Sequence, residues 1–100
     1  MKALIAVCAA LAMTPAFADT LVARQGDDSV RLADIPCRSE AVLGRIEPNI
    51  HSDYKSATAR LAGQSFVACW REMGSVAHVV YEDGDQGLIP MVELKRELVS

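Results

Sequence analysis

The first 18 residues constrain this chain most, because their pattern takes them out of the fold. Lys2 supplies a positive start, and Ala3 to Met13 is an unbroken apolar run. Pro15 breaks a helix just before Ala16-Phe17-Ala18, which places small residues at the two positions a signal peptidase reads. This is the pattern of a secretory signal peptide cleaved before Asp19. The run is too short for a membrane span, which needs about 20 apolar residues. Cys8 follows Val7 rather than a small residue, so it reads as an apolar part of the signal and not as a lipidation site. No later segment is long and apolar enough to span a membrane. The short, Ala-rich signal is bacterial in style, and the expected location is the periplasm or the extracellular space.

Cleavage leaves 82 of the 100 residues, one domain over 19–100 with a modest core. Losing Lys2 leaves nine basic against thirteen acidic side chains, a net charge of −4. No basic stripe runs through the sequence, which argues against nucleic acid and against an anionic membrane surface as partners. Two cysteines remain, Cys37 and Cys69. In an oxidising compartment an even pair in a small domain reads as a disulfide. Closing a loop of about 33 residues stabilises a fold by roughly 3–4 kcal/mol in the chain-entropy account. The alternative is a redox or nucleophilic thiol, but the pair is not C-x-x-C and no neighbouring motif lowers either pKa.

Along the mature chain, Thr20 to Gln25 and Ser29 to Leu32 read as a hairpin around Gly26-Asp27-Asp28. Asp34-Ile35-Pro36 ends it. Pro36 then opens a short helix to Ile46, with Val42 and Ile46 one turn apart and Cys37 in its first turn. Pro48 stops that helix. Ile50 to Lys55 reads equally as loop or as another helical turn. Ala57 to Leu61 is a strand, Ala62 to Ser65 a tight turn. Phe66, Ala68 and Trp70 then alternate with Val67, Cys69 and Arg71, the period of a half-buried strand. Val76 to Tyr81 is rich in β-branched residues and is the plainest strand. Glu82 to Gln86 turns the chain around Asp-Gly, and Gly87-Leu88-Ile89 is a short strand stopped by Pro90. Val92 to Leu98 reads as a final helix, with Glu93 and Glu97 one turn apart. The expected fold class is α+β: one short helix on a curled antiparallel sheet of about five strands, with a single disulfide. Cys69 falls on the face opposite Phe66 and Trp70, so both faces of the sheet need cover.

Few residues point to chemistry. His78 sits mid-strand and reads either as a packed structural histidine or as a base or ligand. His51 lies in the least regular stretch and reads as solvated. The acidic turn Glu82-Asp83-Gly84-Asp85 offers oxygens to calcium, but a calcium site needs six to eight of them and this turn is short. Asp and Gly also have ordinary turn reasons to be there. No Gly-x-Ser-x-Gly elbow surrounds a serine, no cofactor motif appears, and neither a cofactor nor a metal is expected. Trp70, Arg71 and Tyr81 are types enriched at binding hot spots. Trp70 reads also as the core anchor beside Phe66.

The stretch from His78 to Pro90, with Val80-Tyr81-Glu82-Asp83-Gly84-Asp85 at its centre, resembles a recurring feature of short uncharacterised exported proteins of proteobacteria and their phages. In that group a signal peptide precedes two cysteines, the second in an Ala-Cys-Trp context as at Ala68-Cys69-Trp70. The resemblance covers most of the mature chain and implies no activity. The same hairpin is similar to one in Tudor and other SH3-like small barrels, where a strand, an acidic turn and a second strand precede a short helical turn. That resemblance implies a strongly curled sheet. In the Tudor family an aromatic cage reads methylated side chains, and only Tyr81 here corresponds to a cage position.

These readings lead to an expected function: a small periplasmic or secreted binding module for a protein or envelope component. Its expected surface is the strand face around Trp70, Arg71, His78 and Tyr81 with the turn acids Asp83 and Asp85. The alternatives are a small metal-dependent or hydrolytic enzyme using His78 with Asp83 or Asp85, and a structural envelope or stress protein without a discrete site.

Overall fold

A computed structural model describes residues 20–97. The expected export signal, the expected cleavage position before Asp19 and the end of the expected last helix at Leu98 lie outside the described residues. The order is β1 (Thr20–Gln25), β2 (Asp28–Pro36), a single helical turn α1 (Glu40–Leu43), a 3-10 segment (Pro48–Asp53), β3 (Lys55–Leu61), β4 (Gln64–Met73), β5 (Val76–Tyr81), β6 (Gln86–Pro90), a 3-10 turn (Met91–Glu93) and β7 (Lys95–Arg96). All seven strands join one antiparallel sheet in the order β6-β5-β4-β3-β2-β1-β7.

The fold is therefore mostly β, a curled half-barrel, and not α+β on about five strands. Two expectations fail for identifiable reasons. The helix expected from Pro36 loses its start to β2, which runs on through Pro36 to pair with Lys55. What remains is one turn, capped by Ser39 Oγ, which accepts from the Val42 amide at 3.3 Å. The helix expected over Val92 to Leu98 loses to an open sheet edge. Lys95 and Arg96 pair with Val22 and Leu21, and the Glu97 amide donates to the Thr20 carbonyl at 2.8 Å. The spacing of Glu93 and Glu97 serves a different contact, because Glu97 crosses to Arg31 and Arg24.

Chain connectivity forces the curl. In a flat sheet β6 and β7 would stand six strand spacings apart, about 29 Å at roughly 4.8 Å each. Only Met91 to Leu94 connects them, and the five links from Pro90 to Lys95 span at most about 18 Å. The sheet must roll until its two ends approach. Small residues on the inner face permit this: Ala57, Ala59, Ala68 and Ala77 are buried there with Val30, Leu32, Val79 and Trp70. Alternating small and large side chains is how the interior of a small barrel fills its taper. Trp70 is 5% exposed and is the largest of them. Its indole N–H donates to the Ala33 carbonyl at 2.9 Å, within the register shift that separates Leu32 from Pro36 along β2.

The outer face carries a second, smaller core. Val42, Ile46 and Tyr54, from the excursion between β2 and β3, bury against Cys69 and Val80. The Cys37–Cys69 disulfide ties the end of β2 to β4 beneath this layer, with the two Cα atoms 5.6 Å apart. Cys69 thus faces away from Phe66 and Trp70, and each face has its own cover. Among the described residues no helix is long and apolar enough to cross a membrane.

Candidate functional site

Strand register assembles a polar row on the outer face. Arg71 of β4 stands opposite His78 of β5, and His78 opposite Leu88 of β6. Paired residues share a face, so the three side chains lie side by side. Tyr54, at the end of the excursion, closes over them. Its buried ring lies 5.3 Å from the Arg71 guanidinium carbon, and Asp53 Oδ2 reaches Arg71 Nη1 at 3.5 Å.

Both nitrogens of His78 are engaged. Nε2 meets Gln86 Oε1 at 2.7 Å, and Nδ1 meets the Tyr54 hydroxyl at 3.0 Å. An amide oxygen can only accept, so with it facing Nε2 that nitrogen carries the proton. Nδ1 is then the acceptor, and Tyr54 O–H donates to it. The two rings meet edge to face, with centroids 6.2 Å apart. The result is a chain from Asp53 through Arg71, Tyr54 and His78 to Gln86. Arg71 Nε is buried within it without a hydrogen-bond partner.

The other expected site residues lie elsewhere. Trp70 points into the inner core, with Lys55 Nζ 5.4 Å from its ring centre. Tyr81 packs against the same inner cluster, half-buried. Its phenol is pushed above its ordinary value by burial first and by the charges of Asp83 and Asp85 next. Those two acids shape their own turn, Asp83 Oδ1 accepting from the Asp85 amide at 2.9 Å. Arg45 covers that turn. Its Nε donates to the Glu82 carbonyl at 3.2 Å, and a Cβ on Gly84 would come within 2.8 Å of Arg45 Nη1. Arg71 and His78 are thus brought together, while Trp70 and Tyr81 face the opposite side and Asp83 and Asp85 occupy the tip. His78 gives its nitrogens to Tyr54 and Gln86 rather than to Asp83 or Asp85, and Cys37 and Cys69 are joined to each other. Among the described residues no group of three or more His, Cys, Asp or Glu side chains is placed to hold a metal ion.

Asp53, Tyr54 and Gln86 were not legible as site residues. Tyr54 and Asp53 fall in a stretch with no periodicity, and Gln86 reads as turn. No known protein family, curated protein or solved structure matches this chain.

Proposed function

We propose that this chain is an exported binding module, of the periplasm or the extracellular space, that holds a protein partner on its outer face at the β6 edge. One observation carries the reading: Leu88 is 64% exposed and stands on the last strand of the sheet beside His78 and Arg71. The backbone at that edge is available as well. The Tyr81 amide donates to Asp85 and the Met91 amide to Ser75, each at 2.8 Å. Odd positions of β6 therefore turn their polar groups toward β5, and Gln86 and Leu88 turn theirs outward. β6 carries no charged side chain, and only Pro90 blunts it.

An extended segment of the partner adds along this edge through main-chain hydrogen bonds, with its side chains beside Leu88. Arg71 takes a partner carboxylate. Its buried, unpartnered Nε costs about 1–3 kcal/mol, and a shift of the guanidinium toward an incoming acceptor relieves that. The test is affinity capture from periplasmic extract with the native protein, Leu88→Lys and Arg71→Ala, each checked for an unchanged unfolding transition. Capture of the same protein by the native chain, lost in both variants, is the expected result. Equal capture by folded Leu88→Lys removes this edge as the binding surface.

A further inference from the structure

At the other end of the outer face, strand register builds a second polar array. One cross-strand row runs Ser29, Arg60, Ser65, and the next runs Arg31, Thr58, Val67. Together they line a shallow groove of about 280 Å³ across β2, β3 and β4. Ser29, Arg31, Thr58, Arg60 and Ser65 supply two guanidinium groups and three hydroxyls, and no carboxylate lines the groove. Among the described residues, Arg60 and these three hydroxyls have no hydrogen-bond or ion-pair partner in the protein. The carboxylates nearest the array, Asp28, Glu82 and Glu97, are each engaged, Asp28 Oδ1 accepting from the Ala62 amide at 3.0 Å. Glu97 accepts from Arg31 Nη2 at 2.7 Å, and Glu82 Oε1 accepts from the Val67 amide at 3.2 Å.

We propose that this groove binds a single phosphoryl group. The donors line the groove from two adjacent cross-strand rows. Ser29 and Ser65 flank Arg60 from the neighbouring strands, about 5 Å away on either side, and Arg31 enters from the next row about 7 Å along. Such a spread of donors suits an anion with acceptor oxygens in several directions, which a tetrahedral phosphoryl group has and a planar carboxylate lacks. Charge-assisted bonds from guanidinium to phosphate are the strongest the array can make. The net charge of the chain sets the scale of the ligand. A protein this acidic repels an extended polyanion, yet the groove gathers cations locally, so the ligand offers one charged group. Glu97 is its internal competitor, because it occupies Arg31 through both Nε and Nη2.

The source of the phosphoryl group is either a soluble ester or a lipid headgroup, and the experiment separates them. Amide spectra of the purified protein are recorded against sodium phosphate, with sodium chloride at matched ionic strength as control. Co-sedimentation follows with phosphatidylcholine vesicles, with and without phosphatidic acid. The expected result is saturable shifts at Ser29, Thr58, Arg60 and Ser65 with phosphate alone. Arg60→Gln weakens the affinity about tenfold, the loss of one charge-assisted bond. Glu97→Gln strengthens it several-fold by freeing Arg31, an effect a merely structural role for Glu97 would not produce. Vesicle binding that requires phosphatidic acid assigns the lipid headgroup, and its absence beside saturable shifts assigns a soluble ester. Equal shifts with chloride, or unchanged affinity in folded Arg60→Gln, overturns the proposal. The site is independent of the β6 edge, so loss of partner capture there leaves this outcome unaffected.

Discussion

Reducing the Cys37–Cys69 disulfide should remove a large share of the stability of this fold. The bond joins positions 32 apart in sequence. Releasing a loop of about 33 residues returns about 3–4 kcal/mol of chain entropy to the unfolded state. For a domain of this size each kcal/mol moves the melting temperature by about 4–8 °C, so a fall of about 12–32 °C follows. The damage has a place as well as a size. The excursion from Cys37 to Tyr54 rests on a small outer core and on the Cys37 amide bond to the Tyr54 carbonyl at 3.1 Å. The inner core, with Trp70, lies on the other face and shares none of the outer cluster's buried side chains. Reduction is a cleaner perturbation than substitution. A buried thiol packs as a small apolar group, whereas Cys69→Ala would add a cavity at a fully buried position. The assay is urea unfolding with and without a phosphine reductant, followed by Trp70 fluorescence, with amide exchange at Leu43 and Gly44 to report the outer layer. The oxidised and reduced proteins should differ by about 3–4 kcal/mol, and the two helical amides should lose protection in urea before the tryptophan signal changes. A difference under about 1 kcal/mol would mean that the reduced unfolded chain stays restrained by other contacts, and the loop-entropy argument would be refuted.

Two further outcomes follow from local geometry. The two-residue turn between β3 and β4 holds Ala62 at φ 52° beside Gly63 at φ 80°, a left-handed pair in which alanine is strained. Ala62→Asn should stabilise the fold by about 0.5–1 kcal/mol in thermal unfolding, because the backbone amide that donates to Asp28 Oδ1 at 3.0 Å is kept. The hydrogen bond from Arg31 holds the Glu97 carboxyl below its ordinary value of 4.5. A depressed folded value gives stability that is complete above the ordinary value and is lost as pH falls through the folded one. An acid titration of stability should therefore show a small loss below about pH 4.5 that is absent in Glu97→Gln, and salt should reduce it because the pair is exposed.

The strands were legible where one face is buried and the other wet. Phe66, Ala68 and Trp70 alternate with Val67, Cys69 and Arg71, and β4 follows that alternation with Trp70 inward and Cys69 under the outer layer. The disulfide pairing followed once Cys8 was assigned to the expected export signal, which leaves Cys37 and Cys69. Six strands were legible, one more than the sheet of about five expected from them, and β7 was not, because it is only two residues long and has no pattern of its own. It exists because β1 presents an open edge and the chain after β6 is short. Glu93 and Glu97 satisfy a helical spacing equally well, and local spacing lost to a long-range pairing. Pro36 misled in the same way. A proline opens a helix, but it also ends a strand where its missing N–H is not needed.

The site was less legible than the fold, and one part of the loss was avoidable. His78 and Tyr81 differ by three positions on one strand, so a period of two already places them on opposite faces. Trp70 and Arg71 are adjacent and separate for the same reason. Grouping all four by residue type set aside the parity that identified the strands. The remainder was out of reach, because it depends on register. Arg71, His78 and Leu88 become neighbours only once β4, β5 and β6 are aligned residue by residue. Arg31 and Arg60 belong to one groove only because Arg31 pairs with Thr58 beside Arg60. A chain that shows no basic stripe in sequence therefore carries a basic groove in space. The acidic balance of the whole argues against a polyanion but not against one phosphoryl group, since a guanidinium acts over about a Debye length, about 8–10 Å in physiological salt, and Arg31 and Arg60 stand one strand and one row apart, about 8 Å.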